Sequence, residues 1–152
     1  MADSRFVARR IGTIFSLLCA SPAYLEKYGE PKSLDDLQKH ACLRLVNPSI
    51  TPQWHLVSEN SCSYQIDITG QLIADTPELL LDMVQQDMGI ALLPTFAVIE
   101  AVRTGRLRRV LADWRSPDIG VYTLLPSRHF IDAKTRAWLT CCLLYTSPSP
   151  RD

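Results

Sequence analysis

Three strand-to-helix exits carry the residue types best suited to chemistry: Ser21-Pro22, Thr76-Pro77 and Pro94-Thr95-Phe96. The first turn of a helix leaves backbone N–H groups unpaired, and a neighbouring hydroxyl makes such a spot receptive to an anion. Asp75, Thr76, Thr95, Phe96 and Ser21 are therefore the candidate ligand-binding residues. Each exit taken singly is explained by capping alone; three on one sheet edge would make a cleft. Bond-breaking chemistry finds no comparable support. His40, His55 and His129 lie far apart, and none shares i, i+4 spacing with a carboxylate motif. The five cysteines show no CxxC or Cys/His spacing, so no metal site is read from them. There is no G-x-S-x-G, P-loop or dinucleotide fingerprint. Asp35/Asp36 and Asp82/Asp87 read as helix-surface carboxylates. No catalytic residue, metal or cofactor is predicted.

Composition narrows the partners. Lys+Arg and Asp+Glu both number 16 in 152 residues, so the formal net charge is zero. A surface that grips nucleic acid by counterion release needs a basic patch, which this balance does not supply. With 47% hydrophobic and 21% charged residues, the chain has the make-up of a folded soluble protein. Cys19, Cys42, Cys62, Cys141 and Cys142 lie mostly in apolar segments, which predicts reduced, buried thiols and a cytoplasmic location. Arg5, Arg9 and Arg10 before the apolar stretch Ile11–Ala20 imitate a short signal peptide. The better reading is a buried strand from Ile14 to Ala20 running into a helix. No stretch approaches the roughly 20 apolar residues that span a bilayer.

The elements that must position these residues alternate. Ser21 and Pro22 open a helix to Tyr28, stopped by Gly29. Ser33 and Asp36 resemble a capping box for a second helix reaching about His40. Ala41–Val46 reads as a strand, and Trp54–Val57 with Tyr64–Thr69 as a strand pair, one face wet. Gly70 interrupts before Leu72-Ile73-Ala74 continues. Thr76, Pro77 and Glu78 then open a helix with Leu79, Leu80, Met83, Val84 and Met88 as its apolar stripe, closed by Gly89. Ile90–Leu93 is a short buried strand, Thr95–Arg103 a helix closed by Gly105, and Leu107–Leu111 a strand. Trp114–Pro117 reads as a connector, Val121–Leu125 as a strand, and Ile131–Thr140 as a helix with Trp138 on its buried side. Alternation of this kind describes an α/β ligand-binding lobe.

Three blocks in series, SLLCASPAYLEKYGEPKSLDDLQKHACL, GIALLPTFAVIEAVRTGRLRRVLADW and VYTLLPSRHFIDAKTRAWL, resemble the effector-binding domain of LysR-type transcriptional regulators. Their order, spacing and punctuation agree from about Asp3 to Leu139. The resemblance implies a periplasmic-binding-protein-like (type 2) α/β fold of two subdomains, with a small-molecule effector, such as a small carboxylate or other anion, between them. Residues 15–113 would be the second subdomain, largely whole. Residues 1–14 and 114–141 would be remnants of the first, so the fold is expected to be incomplete. It also implies promoter DNA as a partner through an N-terminal winged helix-turn-helix outside this chain, and homo-oligomerisation of the longer protein. The alternatives are a periplasmic-type solute-binding protein and, least favoured, a small α/β enzyme. Residues 142–152, CLLYTSPSPRD, resemble the in-frame translation of a transposase-type sequencing adapter and are set apart from the fold.

Overall fold

In the computed structural model, residues 6–46, 52–70, 72–126 and 132–146 are described. The chain divides into two compact units. The smaller comprises Met1–Ile14 with Asp118–Asp152, and the larger comprises Phe15–Pro117. The connector Trp114–Pro117, expected with the smaller part, falls in the larger unit.

The larger unit is built on a five-stranded mixed sheet. Its strands are β2 (Ser16–Ala20), β3 (Cys42–Leu45), β6 (Ile73–Ala74), β7 (Ile90–Pro94) and β8 (Arg108–Arg109), in the order β6-β3-β7-β2-β8. β3 runs parallel to both β6 and β7, whereas β2 is antiparallel to β7 and β8. A second, antiparallel sheet has the order β5-β4-β9, from β4 (Gln53–Ser58), β5 (Ser63–Asp67) and β9 (Trp114–Arg115). Two expectations change here. Trp114-Arg115 is not a connector, because it pairs with Val57-Ser58. Ile73-Ala74 does not continue the preceding strand but joins the other sheet beside Arg44-Leu45. Gly70 explains the break: a Cβ there would lie 1.9 Å from the Cys42 carbonyl oxygen, so only glycine lets the chain cross at that point.

Both faces of the five-stranded sheet are covered. Side chains alternate along a strand, so Leu18, Ala20, Cys42 and Ile90 face one way and Cys19, Leu43, Ala91 and Leu93 the other. The first set packs with Tyr24 and Leu25 of helix α1 (Pro22–Tyr28), with Leu34 and Leu37 of the 3-10 helix Leu34–Lys39, and with Trp54, Leu56 and Ile66. The Ser33/Asp36 capping box forms at the start of that 3-10 helix. The second set packs with Leu80 and Val84 of α2 (Pro77–Gln85) and with Val98 and Ala101 of α3 (Thr95–Arg103). Each such fully buried aliphatic side chain contributes about 2 kcal/mol relative to exposure.

The apolar stripe of α2 is narrower than the sequence implied. Leu80 and Val84 are buried, while Leu79 is 46% exposed and Met88 lies beyond the helix on the surface. The helix also ends before Gly89: Gln86 is its C-cap, and Asp87 takes the left-handed conformation at φ 64°. Gly89 serves a different purpose, because a Cβ there would sit 2.3 Å from the Ala41 carbonyl oxygen. That oxygen accepts the Ile90 N–H at 2.8 Å, a bond at the start of the β3–β7 pairing.

The smaller unit pairs β1 (Val7–Ile14) antiparallel with β10 (Ile119–Leu125), with a register shift between Arg10 and Gly12. Ile14, expected to begin the strand that runs to Ala20, instead ends β1, and β2 starts at Ser16. Helix α4 (Ala133–Thr146) follows Asp132, whose carboxylate accepts the Thr135 N–H at 2.7 Å. α4 runs past Thr140 into the residues set apart as a tail. Trp138 is 59% exposed rather than buried. Ile131 and His129 lie outside the described residues. No helix among those described is long and apolar enough to cross a membrane.

Candidate functional site

Strand direction decides which candidates meet. β6, β3 and β7 are parallel, so their C-terminal ends share one edge of the sheet. Asp75 and Thr76 leave β6 at that edge, and Thr95 and Phe96 leave β7 there. β6 and β7 are separated only by β3, so the two exits stand about 10 Å apart, two strand spacings. Ser21 does not join them. β2 is antiparallel, with Ser16 opposite Pro94 and Cys19 opposite Ala91, so its C-terminal end points to the far edge. The expectation of three exits on one edge is corrected to two.

Ser21 is instead absorbed by the fold. It is buried; its hydroxyl donates to Asp87 Oδ1 at 2.6 Å and accepts the Tyr24 N–H at 3.1 Å. The serine thereby caps α1 and ties it to the residue that follows α2.

The two helix starts at the shared edge differ in electrostatics. At α2, Pro77 has no N–H, and the Thr76 hydroxyl accepts from Leu79 N at 3.3 Å. Asp75 is exposed beside it, and Glu78 adds a carboxylate in the first turn. The proline and the cap leave fewer open donors there, and the two carboxylates oppose the positive end of the dipole. At α3 the N-cap is Pro94, which offers no side-chain acceptor, and the first turn contains no acid. The Thr95 N–H is taken by the Phe15 carbonyl at 2.9 Å. The N–H groups of Phe96 and Ala97 are the ones a helix leaves unpaired at this position. Phe96, 60% exposed, stands next to them. The start of α3 therefore keeps more of its positive end unopposed than the start of α2 does.

Arg44 is a residue that sequence reasoning missed. It lies on β3 between the two exits, one position before the strand ends, and its Nε is buried with no hydrogen-bond partner. The available signal was a lone arginine in the otherwise apolar strand Cys-Leu-Arg-Leu. Where the chain enters and leaves the larger unit, Ser16 N–H donates to Ser116 Oγ at 2.7 Å, and Ser116 N–H returns to Ser16 O at 3.0 Å. The Arg115 guanidinium lies over the Phe15 ring at 4.3 Å.

Other titratable groups are structural. Burial pushes the Cys19 thiol up to about 12, against a smaller opposing effect of Arg109. Burial likewise raises Cys42 to about 11. Cys62 and Cys141 are exposed, so only part of the expected set of buried thiols is found. Among the described residues no cluster of His, Cys, Asp and Glu has the arrangement of a metal site.

Comparison with known proteins matches this architecture to one family. A family model described as the LysR substrate binding domain matches residues 2–145. An HTH-type transcriptional regulator of Xanthomonas campestris pv. campestris is 31% identical over 143 residues, covering 91% of this chain and 41% of the relative. An uncharacterised HTH-type regulator of Haemophilus influenzae is 31% identical, covering 88% of this chain and 46% of its own length. The chain thus spans less than half of either relative. The full-length virulence activator AphB of Vibrio cholerae superposes with a TM-score of 0.80 at 25% identity, covering 96% of this chain and 50% of that one. The regulatory domain of CrgA from Neisseria meningitidis shares the fold, with a TM-score of 0.79 at 24% identity and coverage of 96% and 71%. These neighbours carry the type 2 periplasmic-binding-protein-like fold. The chain belongs to the LysR substrate-binding-domain family.

Proposed function

We propose that the edge carrying Asp75, Thr76, Thr95 and Phe96 binds a small anionic effector, a carboxylate of modest size being the best fit. The observation that carries this reading is the start of α3, with no side-chain cap, no acid in its first turn and Phe96 exposed beside it. Phe96 offers an apolar surface for the body of the effector, while Arg44 brings a cation to the strand between the two exits. Ser21 takes no direct part, because its hydroxyl is spent on Tyr24 and Asp87.

The longer protein is a cytoplasmic regulator that binds promoter DNA through an N-terminal winged helix-turn-helix and acts as a homo-oligomer. HTH-type naming of the curated relatives supports that reading, as does the likeness to full-length AphB. Catalysis has no part in it. The test is a titration of the 15N-labelled chain with sodium benzoate against sodium chloride. Saturable amide shifts at Phe96 and Ala97 are expected, weakened by Arg44→Gln. Shifts that chloride reproduces equally would refute it.

A further inference from the structure

A second feature of the larger unit lies away from the effector edge and does not depend on it. The 3-10 helix, the start of β3 and the segment after β5 enclose a half-open cavity of about 270 Å3. Its position follows from Cys42, the first residue of β3, which belongs to the opposite edge of the sheet from Thr76 and Thr95. Gly70 forms the close approach beneath it, packed against the Cys42 carbonyl. Leu37, Ile68 and Leu72 supply apolar lining, and His40 and Thr69 supply polar lining. An apolar cavity of about 150 Å3 accepts benzene, so a ring bearing one polar group fits this volume.

The hydrogen-bond network fixes what His40 offers. The Ala41 N–H donates to the Tyr24 hydroxyl oxygen at 3.1 Å. The same hydroxyl lies 2.9 Å from His40 Nδ1, to which it can donate its own proton. We assign the network with Nδ1 accepting and the ring proton on Nε2. Tyr24 is almost wholly buried and packed against the His40 ring, so the arrangement is held from behind. With that assignment the lining has an imidazole N–H from His40 and a hydroxyl from Thr69. Among the described residues no lysine or arginine lines the cavity, and Asp67 does. An anion finds no countercharge there. The complementary ligand is uncharged and brings an acceptor oxygen on a small apolar body.

We propose that this cavity is a second small-molecule site, taking a neutral carbonyl-bearing molecule whose oxygen accepts from His40 Nε2–H. The role suits a co-effector or a metabolite read independently of the anion. Benzamide and benzoate make a matched probe pair, equal in shape and different in charge. The full 152-residue chain, 15N-labelled, is titrated with each to about 20 mM, a range suited to ligands of this size. Benzamide is expected to shift His40, Thr69 and Gly70 amides and the His40 ring nitrogens saturably. Benzoate is expected to leave them unmoved. Thr69→Trp, at an exposed position, fills the cavity mouth and abolishes the benzamide shifts while the rest of the spectrum stays folded. Absence of benzamide shifts at these residues, equal shifts from benzoate, or undiminished binding by Thr69→Trp each overturns the proposal. Benzoate failing at Phe96 and Ala97 would bear on the effector edge alone.

Discussion

Replacing Gly89 by alanine tests how the sheet is joined at its centre. The added Cβ would sit 2.3 Å from the Ala41 carbonyl oxygen and 3.0 Å from its carbon, both backbone atoms that no rotamer change can move. Residue 89 also has φ 153°, outside the range that alanine readily adopts. To relieve the contact, the chain must withdraw from Ala41, and the 2.8 Å bond from Ile90 N–H is lost. That bond is worth about 1 kcal/mol net. Backbone strain at such a residue adds about 1–3 kcal/mol. Ile90 is fully buried, so any shift also loosens its packing. The expected cost is about 4 kcal/mol, a large share of a typical domain's about 5–15 kcal/mol. With a urea m value of about 2 kcal/mol/M, the midpoint falls by about 2 M. Fluorescence is a fitting readout, because Trp54 is buried in the same unit. Gly105→Ala is the control. Its φ is 76°, but a Cβ there meets nothing within 4 Å, so only the left-handed penalty of about 1 kcal/mol applies. If Gly89→Ala cost no more than Gly105→Ala, the close-approach argument would be wrong.

Three further outcomes are expected. A double-mutant cycle of Ser21→Ala and Asp87→Asn should show a coupling of about 1–2 kcal/mol in urea denaturation; additivity within error would mean that the 2.6 Å bond contributes nothing. Asp36 is held below the usual carboxylate range by the N–H groups of Lys32 and Ser33. Its contribution is therefore present above the ordinary aspartate pKa and fades as pH falls through the lowered one. The difference in melting temperature between the native chain and Asp36→Ala should shrink from pH 7 to pH 3, and a widening gap would reverse the sign. In the native chain, Ellman's reagent at pH 8 should label Cys62 and Cys141 while sparing Cys19 and Cys42, whose raised pKa and burial keep them as thiols. Peptide mapping showing early modification of Cys42 would contradict that.

Much of the fold was legible because local chemistry and long-range packing agree in it. Ser21-Pro22 and Gly29 bound α1 where a cap and a stop should, and Thr76-Pro77 does the same for the start of α2. The alternation through Tyr64, Gln65 and Ile66 marks a strand, and Trp54 pairs with Ile66. What failed depends on partners remote in sequence. Trp114-Arg115 is a strand only because Val57-Ser58 lies beside it. Leu79 suits a helical stripe, yet the sheet lies under Leu80 and Val84. At the site, the residue types at each exit could be read, but not which edge each exit occupies. That depends on the antiparallel placement of β2 against β7, and it separates Ser21 from Thr76 and Thr95. The contact between Tyr24 and His40 was equally out of reach, since Tyr24 stands sixteen positions earlier and only the fold brings it near.

The strand order of the five-stranded sheet also dictates when it can form. β2 is the first of its strands to be synthesised, yet both its neighbours, β7 and β8, are the products of Ile90–Pro94 and Arg108–Arg109. A nascent chain leaving the ribosome holds Leu18, Cys19 and Ala20 without pairing partners until almost the whole unit has emerged. Contacts so far apart in sequence make for slow, all-or-none folding. Chains ending before β8 should therefore be substrates for chaperones and proteases rather than shorter versions of the same domain.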